Sequence, residues 1–231
     1  MTRLALSERL YSDINVMALL QKNKRKWLIW LGIVINSLLL SFLGIDYFWW
    51  RNTAHTVISQ KIYRSAQLSP QRLKEVIQIK HIKTIINLRG AQPCEKWYLN
   101  ELRLTKAMGV KYFDVPLPSY SLPSQKHLEK LVSLLLYAPQ PILVHCLGGA
   151  DRSGLASAVA MILEQNAPIS KSQEQFSIWN FVFSDKSVGK VTFSDYFRWL
   201  AQNQLTSNRQ NFLEWVFSKE PLGMANKKLS L

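Results

Sequence analysis

A central sheet flanked by helices, set behind one N-terminal transmembrane helix, is the α/β architecture that this 231-residue chain predicts. Three observations lead there. Beyond residue 50, short apolar runs of strand length alternate with longer amphipathic runs, the order in which helices cover a sheet. From Trp27 to Ile45 no charged residue occurs, and at about 1.5 Å per helical residue that run nearly crosses a hydrocarbon layer of about 30 Å. A ten-residue loop segment, residues 145–154, stands between a buried-strand pattern and a buried-helix pattern. The chain divides accordingly into an N-terminal segment (1–26), an anchor (27–50) and one folded domain with a helical C-terminal extension (51–231).

The anchor comes first in the chain. Trp27 and Trp30 mark one end, and Tyr47, Phe48, Trp49 and Trp50 the other, the aromatic belt of a membrane interface. Lys22, Lys24, Arg25 and Lys26 precede the run, whereas only Arg51 and Lys61 closely follow it. By the positive-inside rule the protein is single-pass, with its N-terminus cytoplasmic and its folded domain outside the cytoplasm, periplasmic in a bacterium; the rule is a bias, and the inverted topology is the alternative. A cleaved signal peptide fits less well, because no clean small-x-small site follows so long a run. A buried core helix would not need apolarity on every face.

The remaining elements follow in order. Ser69-Pro70 reads as an N-cap and first helical residue, with Leu73, Val76 and Ile77 at helical spacing. Lys83–Leu88 is a strand, and Glu95–Met108 a helix with Trp97, Leu104 and Met108 near one face and Gly109 as its stop. Lys111–Val115 is a strand, and Ser124–Tyr137 a helix with Leu128, Leu131, Leu134 and Leu135 inward. Pro141–Val144 is a buried strand, and Leu155–Leu163 a buried helix. The tail reads as helices over Gln173–Phe183, Phe193–Asn203 and Asn208–Phe217, with Trp179 and Phe181 as core residues.

Between the last strand and its helix lies His145-Cys146-Leu147-Gly148-Gly149-Ala150-Asp151-Arg152-Ser153-Gly154. A strand, a tight loop and a helix start aim backbone N–H groups and the positive helix end at one point, a cradle for a phosphate. A cysteine in that field is favoured as thiolate, its nucleophilic form. Arg152 can grip two phosphate oxygens with its planar fork. Gly148 and Gly149 permit unusual dihedrals and let the amides of Leu147 to Ala150 approach an anion. Ser153 either donates to the Cys146 sulfur or caps the helix, and His145 orients the loop.

The pattern His-Cys-x-x-Gly-x-x-Arg-Ser-Gly resembles the signature of the cysteine-dependent protein tyrosine phosphatases. The flanking segments Ile62–Leu68 and Lys83–Arg89 resemble the opening strands of its dual-specificity branch, in a bacterial-type, membrane-anchored version. The likeness covers roughly residues 56–165 and is closest to a bacterial subgroup with an aspartate before the arginine, here Asp151. It implies a mixed central sheet and a two-step reaction, phosphoryl transfer to Cys146 followed by hydrolysis, with no metal and no other cofactor. Relatives carry their general acid, an aspartate, on an upstream loop. The corresponding residues Pro116–Ser124 hold no carboxylate, which leaves Asp114 at the loop's edge or Asp151, the latter as acid or as loop support. Arg89 either lines the pocket or is a solvated charge, and Tyr120 could stack on a substrate ring. The resemblance also admits Cys94 as a redox partner of Cys146; otherwise Cys94 is an ordinary helix-start residue.

Charge and composition narrow the partners. Formal net charge is +14, and residues 52–231 hold 22 basic against 12 acidic side chains. That balance suits anionic substrates or an anionic lipid bilayer. No base-reading motif or aromatic-basic repeat is present, so nucleic acid is not expected as a partner. His55, His81, His127 and His145 show no ligand spacing, so no metal site is expected. The substrates that remain are a phosphorylated protein, or a phosphorylated lipid or glycan. A phosphate-binding module that keeps the cradle without turnover is the alternative.

Overall fold

The computed structural model describes residues 3–165 and 168–217, in two compact units divided between Trp49 and Trp50. The first unit is helical throughout its described length, as part of α1 (Arg3–Arg51). Side chains along Trp27–Ile45 are exposed on every face. The stretch Lys26–Arg51 is long and apolar enough to span a membrane. Two of its polar side chains turn back on their own backbone: Asn36 Nδ2 donates to the Gly32 carbonyl at 3.4 Å and Ser41 Oγ to that of Ser37 at 2.8 Å. An apolar surround can tolerate such groups only when they are satisfied within the helix.

The second unit is built on five strands: β1 (His55–Ile58), β2 (Ile62–Ser65), β3 (Thr84–Asn87), β4 (Lys111–Asp114) and β5 (Ile142–His145). Their order is β1-β2-β5-β3-β4; β1 runs antiparallel to β2, and the other four strands run parallel. The sheet is therefore mixed, as expected, with β1 an addition that the sequence pattern did not disclose.

Alternation along these strands feeds two cores. Ile62, Ile86, Ile142 and Val144 point to one face, which is covered by α4 (Gln125–Tyr137), α5 (Asp151–Gln165), α7 (Val188–Gln202) and α8 (Arg209–Phe217). Tyr63, Ile85 and Leu143 point to the other face, covered by α2 (Pro70–Lys80) and α3 (Lys96–Ala107). Burial of apolar surface on both faces is the main term holding such a layer structure together. Helix starts follow local chemistry. The Ser69 hydroxyl accepts from the Arg72 amide ahead of Pro70, and Ser124 caps α4 through the His127 amide.

Three expectations need correction. The predicted helix over 173–183 is instead a short α6 (Ile169–Gln173) and two 3-10 turns, Glu174–Phe176 and Ile178–Asn180, with Phe181 in the left-handed region at φ 58°. Trp179 is 82% exposed, so it is not a core residue. In α3 the deeply buried face is Tyr98, Glu101 and Thr105, while Trp97, Leu104 and Met108 are only partly buried. A polar network behind the sheet, described next, draws that other face inward.

Candidate active site

Register brings Ser65, His145, Asn87 and Asp114 into one row at the carboxyl ends of the four parallel strands. Loops leaving that edge of an α/β sheet form its natural crevice. The 146–150 loop emerges there and runs into the first turn of α5, which begins at Asp151, four residues earlier than composition indicated.

Cys146 is buried beneath the loop. Burial alone would push its thiol up. The Ser153 hydroxyl, the Arg152 charge, and the amides of Ser153 and Gly149 outweigh burial and hold it below the ordinary thiol value. Ser153 is fully buried, and its hydroxyl also lies 3.4 Å from the Ser65 carbonyl. Gly149 has φ 73°, and a Cβ there would come within 2.6 Å of the Ala66 amide nitrogen. Only glycine fits such a position. Gly148 differs from expectation: a Cβ there would meet open space, and its φ is not positive.

What shapes the loop is Arg64, in the middle of β2 and 1% exposed. Its Nη2 donates to the Gly149 carbonyl at 2.7 Å and to the Ala150 carbonyl at 3.1 Å, and its Nε reaches Gly149 at 3.2 Å. Its Nη1 donates to Gln175 Oε1 at 2.9 Å, and the guanidinium lies 5.5 Å from the centre of the Trp50 ring. With the carbonyls drawn back, the amides are left to face the thiolate side. Burial lowers this guanidinium to about 10, against the attraction of Cys146 and Asp151.

Two further arginines stand at the site. Among the described residues Arg152 makes no hydrogen bond or ion pair, although its charge is felt at Cys146, His145 and Arg89. Arg89 follows β3, lies over the Trp97 ring at 4.0 Å, and donates to Gln67 Oε1 and, at 3.5 Å, to Gln92 Oε1. Burial, then repulsion from Arg152, lowers its pKa. Arg51 Nη2 donates to the Leu147 carbonyl at 3.3 Å.

The two carboxylates singled out in the sequence differ sharply. Asp114 is fully engaged: Oδ1 accepts from Asn87 Nδ2 at 2.8 Å and Oδ2 from the Tyr98 hydroxyl at 2.6 Å. Asp151 is half-buried at the start of α5 and accepts no hydrogen bond among the described residues. Cys94 is exposed, Cys146 is buried, and both are free thiols. Tyr120 is exposed on its loop.

Behind His145 lies a cluster that the sequence reading missed. Glu101 is 3% exposed, accepts from the Tyr112 hydroxyl at 2.7 Å, and lies 3.5 Å from His145 Nε2. Burial raises Glu101 to about 7, against the Tyr112 hydrogen bond and Arg89, and lowers His145 to about 4. A signal existed in the i, i+3, i+7 spacing of Tyr98, Glu101 and Thr105. For Arg64 it was a lone charge inside a strand pattern.

Residues 60–166 match the family model described as "Polymorphic toxin system, DSP-PTPase phosphatase" (Tc-R-P). No curated protein matches the chain. Among solved structures, the core catalytic domain of the PP-IP phosphatase SIW14 from S. cerevisiae, in complex with citrate, is similar at 23% identity and a TM-score of 0.49, over 65% of this chain and 92% of that one. A second structure of the Siw14 catalytic core gives 21% identity and a TM-score of 0.50, over 65% and 91%. PTPMT1 in complex with PI(5)P gives 14% identity and a TM-score of 0.51, over 65% and 98%. At these identities the solved structures speak for the fold.

Proposed function

We propose, on the match of residues 60–166 to the DSP-PTPase family model, that this chain is a membrane-anchored, dual-specificity-phosphatase-like enzyme of the cysteine-dependent superfamily, working through a phosphocysteine on Cys146. The observation that carries the reading is Arg64 holding back the Gly149 and Ala150 carbonyls while the amides of Gly149 and Ser153 face a thiol already held low. In the first step the thiolate attacks phosphorus. A sulfur–phosphorus bond forms, the phosphorus–oxygen bond to the leaving group breaks, and that oxygen takes a proton. Arg152 and the loop amides hold the equatorial oxygens as charge shifts outward. In the second step water forms the new phosphorus–oxygen bond, inorganic phosphate leaves, and the sulfur departs as thiolate, supported by the Ser153 hydroxyl.

Asp151 is the better proton donor of the two carboxylates. Among the described residues it accepts no hydrogen bond, and it stands where the loop enters α5, within reach of the Arg64 charge, whereas both oxygens of Asp114 hold the sheet edge together. His145 stays neutral and orients the loop. Arg89, braced on Trp97, adds a second cation beside Arg152. A phosphomonoester already carries nearly two negative charges, so a second cation beside Arg152 suits a substrate with a further anionic group next to the scissile phosphate, and a phosphorylated lipid or glycan is favoured over a phosphoprotein. PI(5)P, the ligand in the PTPMT1 complex, is of that kind. The N-terminus is cytoplasmic and the domain lies across the membrane from it.

The deciding measurement is phosphate release by the full chain in detergent under reducing conditions, against an aryl phosphate, phosphotyrosine and phosphothreonine peptides, and dispersed phosphatidylglycerophosphate. The expected result is release that Cys146→Ser abolishes, a loss of at least about 10⁴-fold in kcat. Binding of phosphate analogues with no release from any substrate would leave a phosphate-binding module. Labelling of the exposed Cys94 in intact cells by a membrane-impermeant maleimide tests the orientation.

A further inference from the structure

The phosphate loop is bonded to a residue at the very start of the second unit. Ile45 ends the charge-free run, and Arg51 lies only six residues on, about 9 Å along a helix. A headgroup layer is about 5–7 Å deep on each side, so under the proposed anchor a residue this close in sequence falls near that layer. The guanidinium of Arg51 is hydrogen-bonded to the Leu147 carbonyl of the catalytic loop.

A second feature sits beside the same loop. Ile178, Trp179 and Phe183 are 60%, 82% and 73% exposed, three large apolar side chains within six residues. The segment displaying them is firmly built. Val182 is fully buried, and the amides of Asn180 and Phe181 donate to Ser177 and Ile178 at 3.0 Å each. Asn180 Nδ2 donates to the Glu174 carbonyl at 2.9 Å, and its Oδ1 lies 3.5 Å from Arg64 Nη1, the arginine that shapes the phosphate loop. The Phe181 ring lies 5.2 Å from Trp50, at the end of the aromatic belt. Asp185 and Lys186, both exposed just downstream, balance each other in charge. Rigid, exposed aromatic and aliphatic groups, held by a ring contact to Trp50, have the chemistry of an interfacial lipid contact.

We infer that Ile178, Trp179 and Phe183 form a bilayer-docking surface that seats the phosphate loop in the headgroup layer, so that the enzyme takes phosphate from lipids in the plane of its own membrane. This rests on the proposed anchor at 27–50. The surface then restricts substrates by height: a phosphate within the headgroup layer meets the loop, and one on a bulky protein does not.

The test uses the full chain in vesicles of phosphatidylcholine with phosphatidylglycerol, carrying Cys94→Ser and Cys146→Ser. A polarity-sensitive dye is placed on Trp179→Cys and, as a control, on Tyr137→Cys at an exposed position on α4. The expected result is quenching of the dye at 179 by spin-labelled lipid and its protection from aqueous iodide, with the reverse at 137. Equal iodide quenching at both positions in a chain that resists carbonate extraction would overturn the docking surface, and would leave room for a protein partner there. A chain that carbonate releases from the vesicles would overturn the anchor reading instead. In parallel, the triple variant Ile178→Ser, Trp179→Ser, Phe183→Ser in otherwise native chain should lose at least about tenfold in kcat/KM on vesicle-borne phosphatidylglycerophosphate. It should keep its rate on a soluble aryl phosphate, which also reports that it has folded. Equal rates on both substrates before and after substitution would count against the surface.

Discussion

The phosphate loop and the segment that follows β4 are built to opposite standards. In the first, the backbone is held from several sides: Arg64 and Arg51 take carbonyls, two amides and the Ser153 hydroxyl face the thiol, and Gly149 occupies a position only glycine can hold. The second, residues 116–124, is tied down by its backbone, the Leu117 amide to Leu88 and the Ser119 carbonyl to the Val188 amide. It offers an exposed Tyr120 and hydroxyls, but no carboxylate. Anion binding and nucleophilic attack are thus preorganised by the scaffold, while protonation of the leaving group has no donor on that segment. In the proposed mechanism the proton comes from the same loop as the nucleophile.

The sharpest break in this contrast is Arg152→Lys. Lysine keeps the charge but loses the two-pronged grip, so kcat/KM should fall about 10³-fold on aryl and lipid phosphates alike. Steady-state phosphate release measures it, and a variant keeping a tenth of the activity would remove Arg152 from its role. Arg64→Met acts from behind the loop. It deletes a buried cation and strands the carbonyls of Gly149 and Ala150, so the unfolding free energy should fall by about 3 kcal/mol. Urea unfolding of the full chain in detergent reads that loss, and vanadate affinity should drop with it. If vanadate affinity stays intact in a folded Arg64→Met chain, the amides do not depend on Arg64 for their direction.

Much of the well-built loop was legible, because its chemistry is local. A strand, two glycines and a helix start within about fifteen residues leave few geometries, and Cys146, Arg152 and Ser153 come together where that pattern puts them. What was not legible depends on pairing across the sheet. Arg64 gains its role only once β2 lies beside β5, a pairing between residues some eighty apart. Glu101 is buried only because α3 turns Tyr98 and Thr105 inward toward β4, where polar groups of Tyr112 and Asp114 wait. Apolar periodicity alone chose the competing stripe of Trp97, Leu104 and Met108. The 174–180 segment failed for a related reason: its carbonyls and side chains bind Arg64 and one another in 3-10 turns rather than continuing a helix.

The missing acid can be located by comparing leaving groups. Asp151→Asn should lower kcat by about ten- to a hundredfold on an alkyl phosphate and barely change it on nitrophenyl phosphate, whose oxygen leaves without a proton. Asp114→Asn should do something else. Its new amide would face the Asn87 amide, and stability should fall by about 1–2 kcal/mol with no dependence on the leaving group. A leaving-group dependence found at Asp114 and absent at Asp151 would exchange the two assignments.

A further effect lies behind the loop, where Glu101 and His145 are buried 3.5 Å apart. Glu101 is raised to about 7 from 4.5, chiefly by burial, so its neutral form favours the folded state. That contribution is fully present below the ordinary carboxyl value and is lost as pH rises through about 7. His145 runs the other way. Lowered to about 4 from 6.5, again by burial, it contributes stability above 6.5 that is lost as pH falls toward 4. The groups facing the pair are Tyr112 and Asp114 from β4, Tyr98 from α3, Arg89 from the loop after β3 and Arg152 from α5. Stability should therefore peak on the acid side of neutrality. Glu101→Gln keeps an acceptor for the Tyr112 hydroxyl but cannot ionise. It should abolish the alkaline limb, worth about 2 kcal/mol between pH 5 and pH 8, and leave the acid limb in place. Urea midpoints at the two pH values measure the difference, and a variant whose midpoints track the native chain at both would show that Glu101 is not the group that titrates.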